Sequence, residues 1–539
     1  MKDNTTFSGY VLPADSDRFV VISGSLSHIQ RFIYNTTSQG ALKNLRGRSF
    51  YLSLLARAIS DSLLNRLNLS HESVLYNSGG TFCIIAPSAT GKIDEVNSLI
   101  KEIKACVADL LHSDMVNISI VEATRNELEN DCQKVFDKLF SKRHRAKFAP
   151  FGADANYEHL FSAASPHKSA TYEDIGSKLS DITAILASHK QLQLKNALSV
   201  DFEQLGVHYY LGKTEELVRA NCREGYLLLI NDEKEPANCT IPIYREFIAG
   251  NGTRANSFES LFASEASSHE RLAVLRMDVD NLGALLRSSM NKSNALSEYS
   301  KFSRQLDAYF KQEVNKMWQA KYSDSTVIIY AGGDDLFVVG EWENTLAFMQ
   351  DINSGFKLFF GNESMSLSGG ISFVRPKYPI IRAAEMSADE ETIAKSFEFN
   401  SEQKNAISLF QTPLRWAYEY KWIMEYHNAL LTLINYDYID KSFVQHILRV
   451  GENVKYVNGK VEPIRYIWLA AYDLSRMAKR KGREGERGEQ GERFIKRGIA
   501  DLMSGRTLDG KPIISPYHSL QLITIAARLV EMKLWKTDK

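Results

Sequence analysis

Two short stretches carry acids at spacings that suit phosphoryl chemistry. The first is AGGDDLFVVG at 331–340, which follows the β-branched and aromatic run STVIIY. Such runs on either side of two glycines predict a hairpin with Gly332, Gly333, Asp334 and Asp335 at its turn. Adjacent carboxylates raise each other's pKa and destabilise a turn unless a cation sits on them. Oxygen-only ligand sets favour Mg²⁺ or Mn²⁺. The second stretch is MDVDNLG at 277–283. Asp278 and Asp280 are two apart, which in an extended segment puts both on one face. With the two strands as neighbours, Asp278 faces the turn. The acids then form a two-metal site, which activates an attacking oxygen and stabilises a leaving phosphate. Asn281, Leu282 and Gly283 open a helix whose N-terminus suits an anion. Asp280 is divided between a metal ligand and a cap of that helix. GGDD alone is a weak motif. D-x-D-N-x-G before a helix, with GGDD about 55 residues further on, is much sharper.

The elements that must position these acids recur along the chain. Residues 18–34 open on a short apolar run, and 41–66 have apolar residues at helical spacing. SVLYNSGGTFCIIAP at 73–87 reads as strand, glycine turn, strand; 93–112 is helical and 116–123 a strand. In 271–375 the order repeats: strand, turn and helix; a helix over 302–318; strand, Gly-Gly turn, strand; a helix; and the strand SLSGGISFV. This is an internal duplication at an offset of about 250 residues, and only the second copy has acids at its turn. Between the copies, over about 150–265, the pattern is less regular, with GYLLLI and CTIPIY as strands. After 413 it turns helical, and Trp416, Tyr420, Trp422 and Trp468 read as core in preference to base-stacking platforms. GREGERGEQGER at 482–493 reads as a solvated flexible loop, not collagen.

Composition narrows the class. The chain has 539 residues, 65 basic and 65 acidic, so its formal charge is zero. A neutral chain does not grip nucleic acid unaided, but it can sit inside a larger nucleoprotein assembly. SKRHRAKF at 141–148 and RMAKRKGR at 476–483 are candidate RNA contacts, with solvated helix ends as the alternative. Five cysteines, none in C-x-x-C spacing, predict no structural zinc and suit a reducing cytoplasm. No apolar leader opens the sequence and no 18-residue apolar run follows, so no membrane association is expected.

Six stretches in order carry a family resemblance: GALKNLRGRSFYLSLL at 40–55, NSGGTF at 77–82, LRMDVDNLG at 275–283, AGGDDLFVVG at 331–340, SLSGGISFVRPKYPIIRAAEMS at 366–387 and the AK pair at 394–395. Together they resemble the large subunit of type III CRISPR effector complexes, the Cas-ten family in its Csm branch. The resemblance implies an α/β (α+β) fold with two GGDEF- or palm-like ferredoxin-type domains. The expected boundaries are 1–150 for a degenerate first palm and 151–265 for an intervening domain without zinc. They continue with 266–412 for the second palm and 413–539 for a helical bundle. It further implies a nucleotidyltransferase that converts ATP to 3′–5′ cyclic oligoadenylates, a second messenger of antiviral defence, when guide-bound subunits meet target RNA. By position, Asp278, Asp334 and Asp335 are the metal-binding acids. Gly332, Gly333, Asn281 and Gly283 cradle nucleotide. Ser368, Gly369 and Lys395 match positions near the triphosphate, and Ser78, Gly79 and Gly80 the ATP-contacting turn of the first palm.

The sequence departs from the family pattern in three ways. None of its twelve histidines is followed by aspartate, so HD nuclease activity is not expected. The cysteine motifs usual between the palms are missing. Where the first palm normally reads D-I-S-G-I-Q, GSLSHIQ places Ser25 and His28. His28 reads as a core or helix-capping residue ahead of a nucleotide contact. If it touches nucleotide, the product is open to a linear or mixed adenylate, with AMP joined to another acceptor. A catalytically silent scaffold competes with these enzyme readings, and a diguanylate-cyclase-like enzyme ranks last.

Overall fold

The computed structural model describes residues 9–36, 40–88, 92–111, 115–148, 169–220, 222–231, 234–262, 270–290, 294–361, 365–452, 456–457, 460–461, 465–482, 485–504 and 519–537. The fold is α+β. Its chain divides into two compact units, one of residues 1–263, 281–365 and 379–382, the other of 264–280, 366–378 and 383–539.

In the first unit, β1 (Arg18–Leu26), β2 (Val74–Ser78), β3 (Thr81–Pro87) and β4 (Val116–Thr124) form a sheet of order β2-β3-β1-β4. All of its pairings are antiparallel. The apolar run of β1 is buried on both faces. Phe19, Val21, Cys83 and Ile85 pack with Phe136 and Leu139 of the helix Cys132–Phe148. The same cluster takes in Ala295, Leu296 and Tyr299, from a helix that begins at Ala295. That helix starts seven residues before the expected 302, because its first turn is anchored in this core. It passes through a π-helical turn, Tyr309–Glu313, and ends as Val314–Lys321.

The segment expected to be less regular holds a five-stranded sheet: β5 (Ala184–Ser188), β6 (Leu198–Phe202), β7 (Val207–Gly212), β8 (Tyr226–Ile230) and β9 (Ile243–Glu246), in the order β6-β7-β5-β8-β9. The long helix Ala41–Arg66 packs on it. Asp61 of that helix, buried, accepts hydrogen bonds from Tyr209 and Tyr226 of the sheet. The helix also crosses Ser169–Lys178 through paired glycines. A β-carbon on Gly47 would lie 1.8 Å from Tyr172 O, and one on Gly176 1.9 Å from Lys43 O.

The duplication is visible in the strand pairing. The hairpin β11 (Thr326–Gly332) and β12 (Asp335–Glu341), in the first unit, repeats β2 and β3. Both hairpins are bulged at the same place, between Val74 and Tyr76 and between Ile328 and Tyr330. In the second unit β10 (Leu272–Val279) pairs antiparallel with β13 (Leu367–Val374), as β1 does with β4. β13 continues in parallel to Ala406–Leu409, which turns back as Thr412–Arg415. Helices follow to the end of the described chain, broken by a short hairpin of Tyr456–Val457 and Lys460–Val461, and Trp416, Tyr420 and Trp422 are core, as their spacing predicts. The side chain of Trp468 lies outside the described residues.

The glycine-rich stretch 482–493 is not a loop. The helix Glu486–Ser504 runs through most of it. Its Glu, Arg and Gln residues are good helix formers, and Glu489–Arg493 and Glu492–Lys496 pair at i,i+4. Gly491 is where backbones meet, since a β-carbon there would lie 1.9 Å from Tyr438 O. Among the described residues no helix is long and apolar enough to cross a membrane.

The close helix crossing can be tested. Gly47→Ala forces the helix away from Tyr172, and overpacking of this kind costs about 1–3 kcal/mol. Thermal unfolding of the variant should fall by several degrees. An unchanged midpoint would mean that the helices do not cross at this spacing.

Candidate functional site

The two glycine turns lie against each other in the first unit. Ser78-Gly79-Gly80-Thr81 closes β2 and β3 with Gly79 and Gly80 at φ 59° and 73°, a two-residue loop whose positive φ values glycine adopts without strain. Gly332-Gly333-Asp334-Asp335 closes β11 and β12, with Gly333 at φ 68°. A β-carbon on Gly79 would stand 3.5 Å from Gly333 Cα, and one on Gly333 3.5 Å from Gly79 Cα. The turns therefore meet backbone to backbone. Asp334 and Asp335 are half-buried beside this contact.

Behind the turns runs a chain of charges that the sequence pattern does not reveal. Asp307, near the end of the helix Ala295–Ala308, accepts through Oδ1 from the Ser78 hydroxyl and, at 3.3 Å, from the Gly333 amide. Its Oδ2 lies 2.9 Å from Lys311 Nζ, which lies 3.0 Å from Glu246 Oε1 of β9. Glu246 in turn pairs with Arg57 of the helix Ala41–Arg66. Burial works against the Lys311 charge, but Asp307 and Glu246 outweigh it and hold its pKa above the ordinary lysine value. Burial likewise works against Glu246, and Lys311 and Arg57 outweigh it to lower its pKa. A cavity of about 580 Å³ is lined by both turns, by His28, and by Arg57 and Lys311. That volume suits a small-molecule ligand.

His28 is neither core nor a side-chain cap. It is exposed, sits at φ 55° just before the helix Ile29–Tyr34, and makes no capping hydrogen bond through its side chain. Asn281 holds the same place before the helix Leu282–Ser289, also at φ 55°. Gly283 is exposed in the first turn of that helix. Asn281 follows His28 by 253 residues, and Gly332 follows Gly79 by 253 (281 less 28; 332 less 79). By strand pairing the second hairpin lies one residue further on, since the closing pair Gly332–Asp335 follows Ser78–Thr81 by 254 (332 less 78).

The other expected residues gather in the second unit. Asp278 of β10 stands opposite Ser368 of β13 and pairs with Lys395 at the end of the helix Ile380–Lys395. Lys395 Nζ is also 3.4 Å from Glu391, whose other oxygen is 3.9 Å from buried Arg276. Burial raises the pKa of Asp278, and Lys395 only partly offsets it. Burial likewise raises the pKa of Glu391. Gly369 has no room for a side chain, since a β-carbon would lie 2.6 Å from Arg276 O.

Asp280 does not cap the helix. β10 ends at Val279, and Asp280, 2% exposed, turns back to β13. Its Oδ2 accepts from Ser366 Oγ (2.6 Å), Ser368 Oγ (3.0 Å) and the Asn405 amide (3.0 Å). The Ser368 hydroxyl is thereby committed. Asp280 Oδ1 is buried without a hydrogen-bond partner. Burial raises the pKa of this group despite its three donors. Among the described residues no three His, Cys, Asp or Glu side chains converge to hold a metal. The donor chemistry nevertheless fits a hard cation. In the second unit Asp280 Oδ1 is an orphaned oxygen and Asp278 a carboxylate whose pKa burial raises; in the first, Asp334 and Asp335 are adjacent oxygen donors.

The two basic clusters are partly spent on structure. Lys142 donates to Ile120 O, Arg143 to Ser23 Oγ, and Lys481, which is buried, to Asp440.

Residues 271–408 match the family model of the Cas10/Cmr2 second palm domain, and residues 18–166 that of the Csm1 subunit domain B. Curated relatives are named CRISPR system single-strand-specific deoxyribonuclease Cas10/Csm1 (subtype III-A). The protein of Methanocaldococcus jannaschii is 26% identical over 75% of this chain and 60% of its own length. That of Streptococcus thermophilus is 24% identical over 81% of this chain and 60% of its own. The chain thus spans about 60% of the length of these relatives. Among solved structures, the Csm1–Csm4 cassette in complex with one ATP superposes with a TM-score of 0.65 at 19% identity, over 96% of this chain and 70% of that one. The cassette in complex with cA4 gives 0.62 at 18%, over 96% and 70%. At these identities the likeness is one of fold.

Asp280 separates two roles that its position combines. Asp280→Ala strands two hydroxyls and an amide and should cost about 2–4 kcal/mol of stability. Asp280→Asn keeps an acceptor for them and should cost less than half as much in chemical denaturation. Equal losses would mean that the charge itself, not the acceptor, holds this corner.

Proposed function

We propose that this chain is the palm-bearing large subunit of a type III-A CRISPR effector, and that it joins ATP into cyclic oligoadenylates when the complex binds target RNA. One observation carries the reading: two duplicated glycine turns meet backbone to backbone, and only one of them bears acids. A duplicated fold with one acidic turn has one place to do chemistry and one to hold a partner nucleotide. The family models on both repeats, and solved relatives in complex with ATP and with cA4, support it.

The proposed division of labour follows the expected domains. Residues 1–150 form the first palm and offer Ser78, Gly79 and Gly80 to one ATP. Residues 151–265 form the intervening domain, 266–412 the catalytic palm and 413–539 the helical domain. Asp278, Asp334 and Asp335 would hold Mg²⁺ or Mn²⁺, with Asp280 Oδ1 as a further oxygen. When bound, such ions polarise the α-phosphate and lower the pKa of the attacking 3′-hydroxyl. Gly332 and Gly333 leave room for the nucleotide, and Asn281 and Gly283 line its approach. Lys395 supplies a point charge to the triphosphate side, and Ser368 and Gly369 shape the strand beneath. Pyrophosphate leaves. Guide RNA and other Csm subunits are the expected partners, and they supply most of the RNA grip for a neutral chain.

A second reading has one observation in its favour. His28 is exposed and lines the cavity. An imidazole in that place suits an acceptor other than a second ATP, in which case AMP is joined to another small molecule.

The test is the complex assembled with guide RNA and partners, given ATP, Mg²⁺ and matching target RNA, with products identified by mass spectrometry. Cyclic oligoadenylates are expected. AMP conjugated to another molecule would favour the second reading, and no product would favour a scaffold. Asp334→Asn with Asp335→Asn should lower turnover roughly a hundred- to a thousandfold with no loss of thermal stability. Retained turnover would remove the turn from the chemistry.

A further inference from the structure

We propose that Asp307 is a positioning residue that clamps the two glycine turns in register, a role that rests on the reading of these turns as two nucleotide sites. Neither turn carries a β-carbon at the contact, so no side chains interlock there. One carboxylate oxygen does so instead. Asp307 Oδ1 takes the Ser78 hydroxyl from the turn without acids and the Gly333 amide from the turn with them.

The clamp is asymmetric. Ser78 closes the first hairpin where Gly332 closes the second, so a hydroxyl donor exists on one turn only. The acidic turn is gripped through its backbone, at the Gly333 amide, and not through its acids. The clamp is also braced from behind. Asp307 Oδ2 is held by Lys311, Lys311 by Glu246, and Glu246 by Arg57. This chain ties the turns to the helix Ala41–Arg66 and to the five-stranded sheet. Lys311 lies in the π-helical turn directly after Asp307, a local irregularity of the kind that re-aims side chains at functional sites.

Joining two nucleotides requires their reacting atoms within about 3–3.5 Å, and a misplacement of about 1 Å costs on the order of a hundredfold. Loosening the clamp should therefore impair joining and leave the binding of each nucleotide nearly intact. Asp307→Ala in the assembled complex should lower kcat for oligoadenylate formation about ten- to a hundredfold, with KM for ATP changed less than about twofold. Asp307→Asn retains a side-chain carbonyl for both donors and should recover most of the loss. If Ala and Asn fall alike, with KM rising in parallel, Asp307 has no positioning role.

Hydrogen exchange of the full chain gives a readout that needs no turnover. Asp307→Ala should reduce protection of segments 76–82 and 330–336 by about tenfold or more, and leave β1 unchanged. Ser78→Ala, a milder change, should loosen 76–82 more than 330–336. Unaltered protection at both turns in Asp307→Ala would overturn the clamp. If the wild-type complex yields no oligoadenylate, the functional reading fails, and the exchange experiment still decides the clamp.

Discussion

The contact of two bare glycine turns is the constraint on which the first unit depends. Backbones approach this closely only where no β-carbon intervenes, and only glycine holds these φ values at little cost. The same bareness removes the usual means of fixing an interface, interlocking side chains. Spacing must then be imposed from outside the contact, by hydrogen bonds and charges. The Asp307–Lys311–Glu246–Arg57 chain does this, and it explains why a helix, a π-helical turn, a sheet edge and a second long helix converge behind the hairpins. Each charge in the chain has an opposite partner, which offsets the cost of taking it out of water.

The two repeats show how one backbone solution serves different chemistry. The strand-to-helix corner is built alike in both: a left-handed residue, His28 or Asn281, and before it a residue whose amide bonds the start of the last strand. Ser27 N donates to Met115 O at 2.7 Å, and Asp280 N to Ser366 O at 2.9 Å. The side chain of that residue also ties to the last strand, Ser27 through Asn117 and Asp280 through Ser366 and Ser368. A serine suffices to hold the corner. The aspartate of the second repeat therefore brings a charge that the corner itself does not need, together with an oxygen that has no hydrogen-bond partner. An excess of that kind points to a ligand in preference to folding.

What was legible in the sequence follows from how local each signal is. The hairpins, the long helix 41–66 and the duplication rest on turn chemistry and periodicity within a dozen residues, and the structure has them. Of the five-stranded sheet, β8 and the start of β9 are legible as GYLLLI and CTIPIY, and the other strands, five or six residues long, are too short for alternation to stand out. The stretch 482–493 misled because its glycines look like punctuation, whereas Gly491 is there to let a helix touch Tyr438. Asp307 could not be found from its neighbours. An acid in a polar-faced helix is ordinary, and the one local hint is Lys311 four residues on, a spacing that reads as a surface pair. Only the fold turns that pair inward.

The distribution of charge differs between the two units. In the first unit the half-buried carboxylate Glu246 has two cations, and its pKa is lowered. In the second unit Asp278, Asp280 and Glu391 are all pushed up by burial, with Lys395 beside them and Arg276 near Glu391. One group is electrostatically complete and the other is short of positive charge. A protein that gained only structure from these acids would be better served by amides, which bond without the desolvation cost of a charge. Carboxylates that remain under-compensated keep their affinity for a cation, which amides in their place would lack.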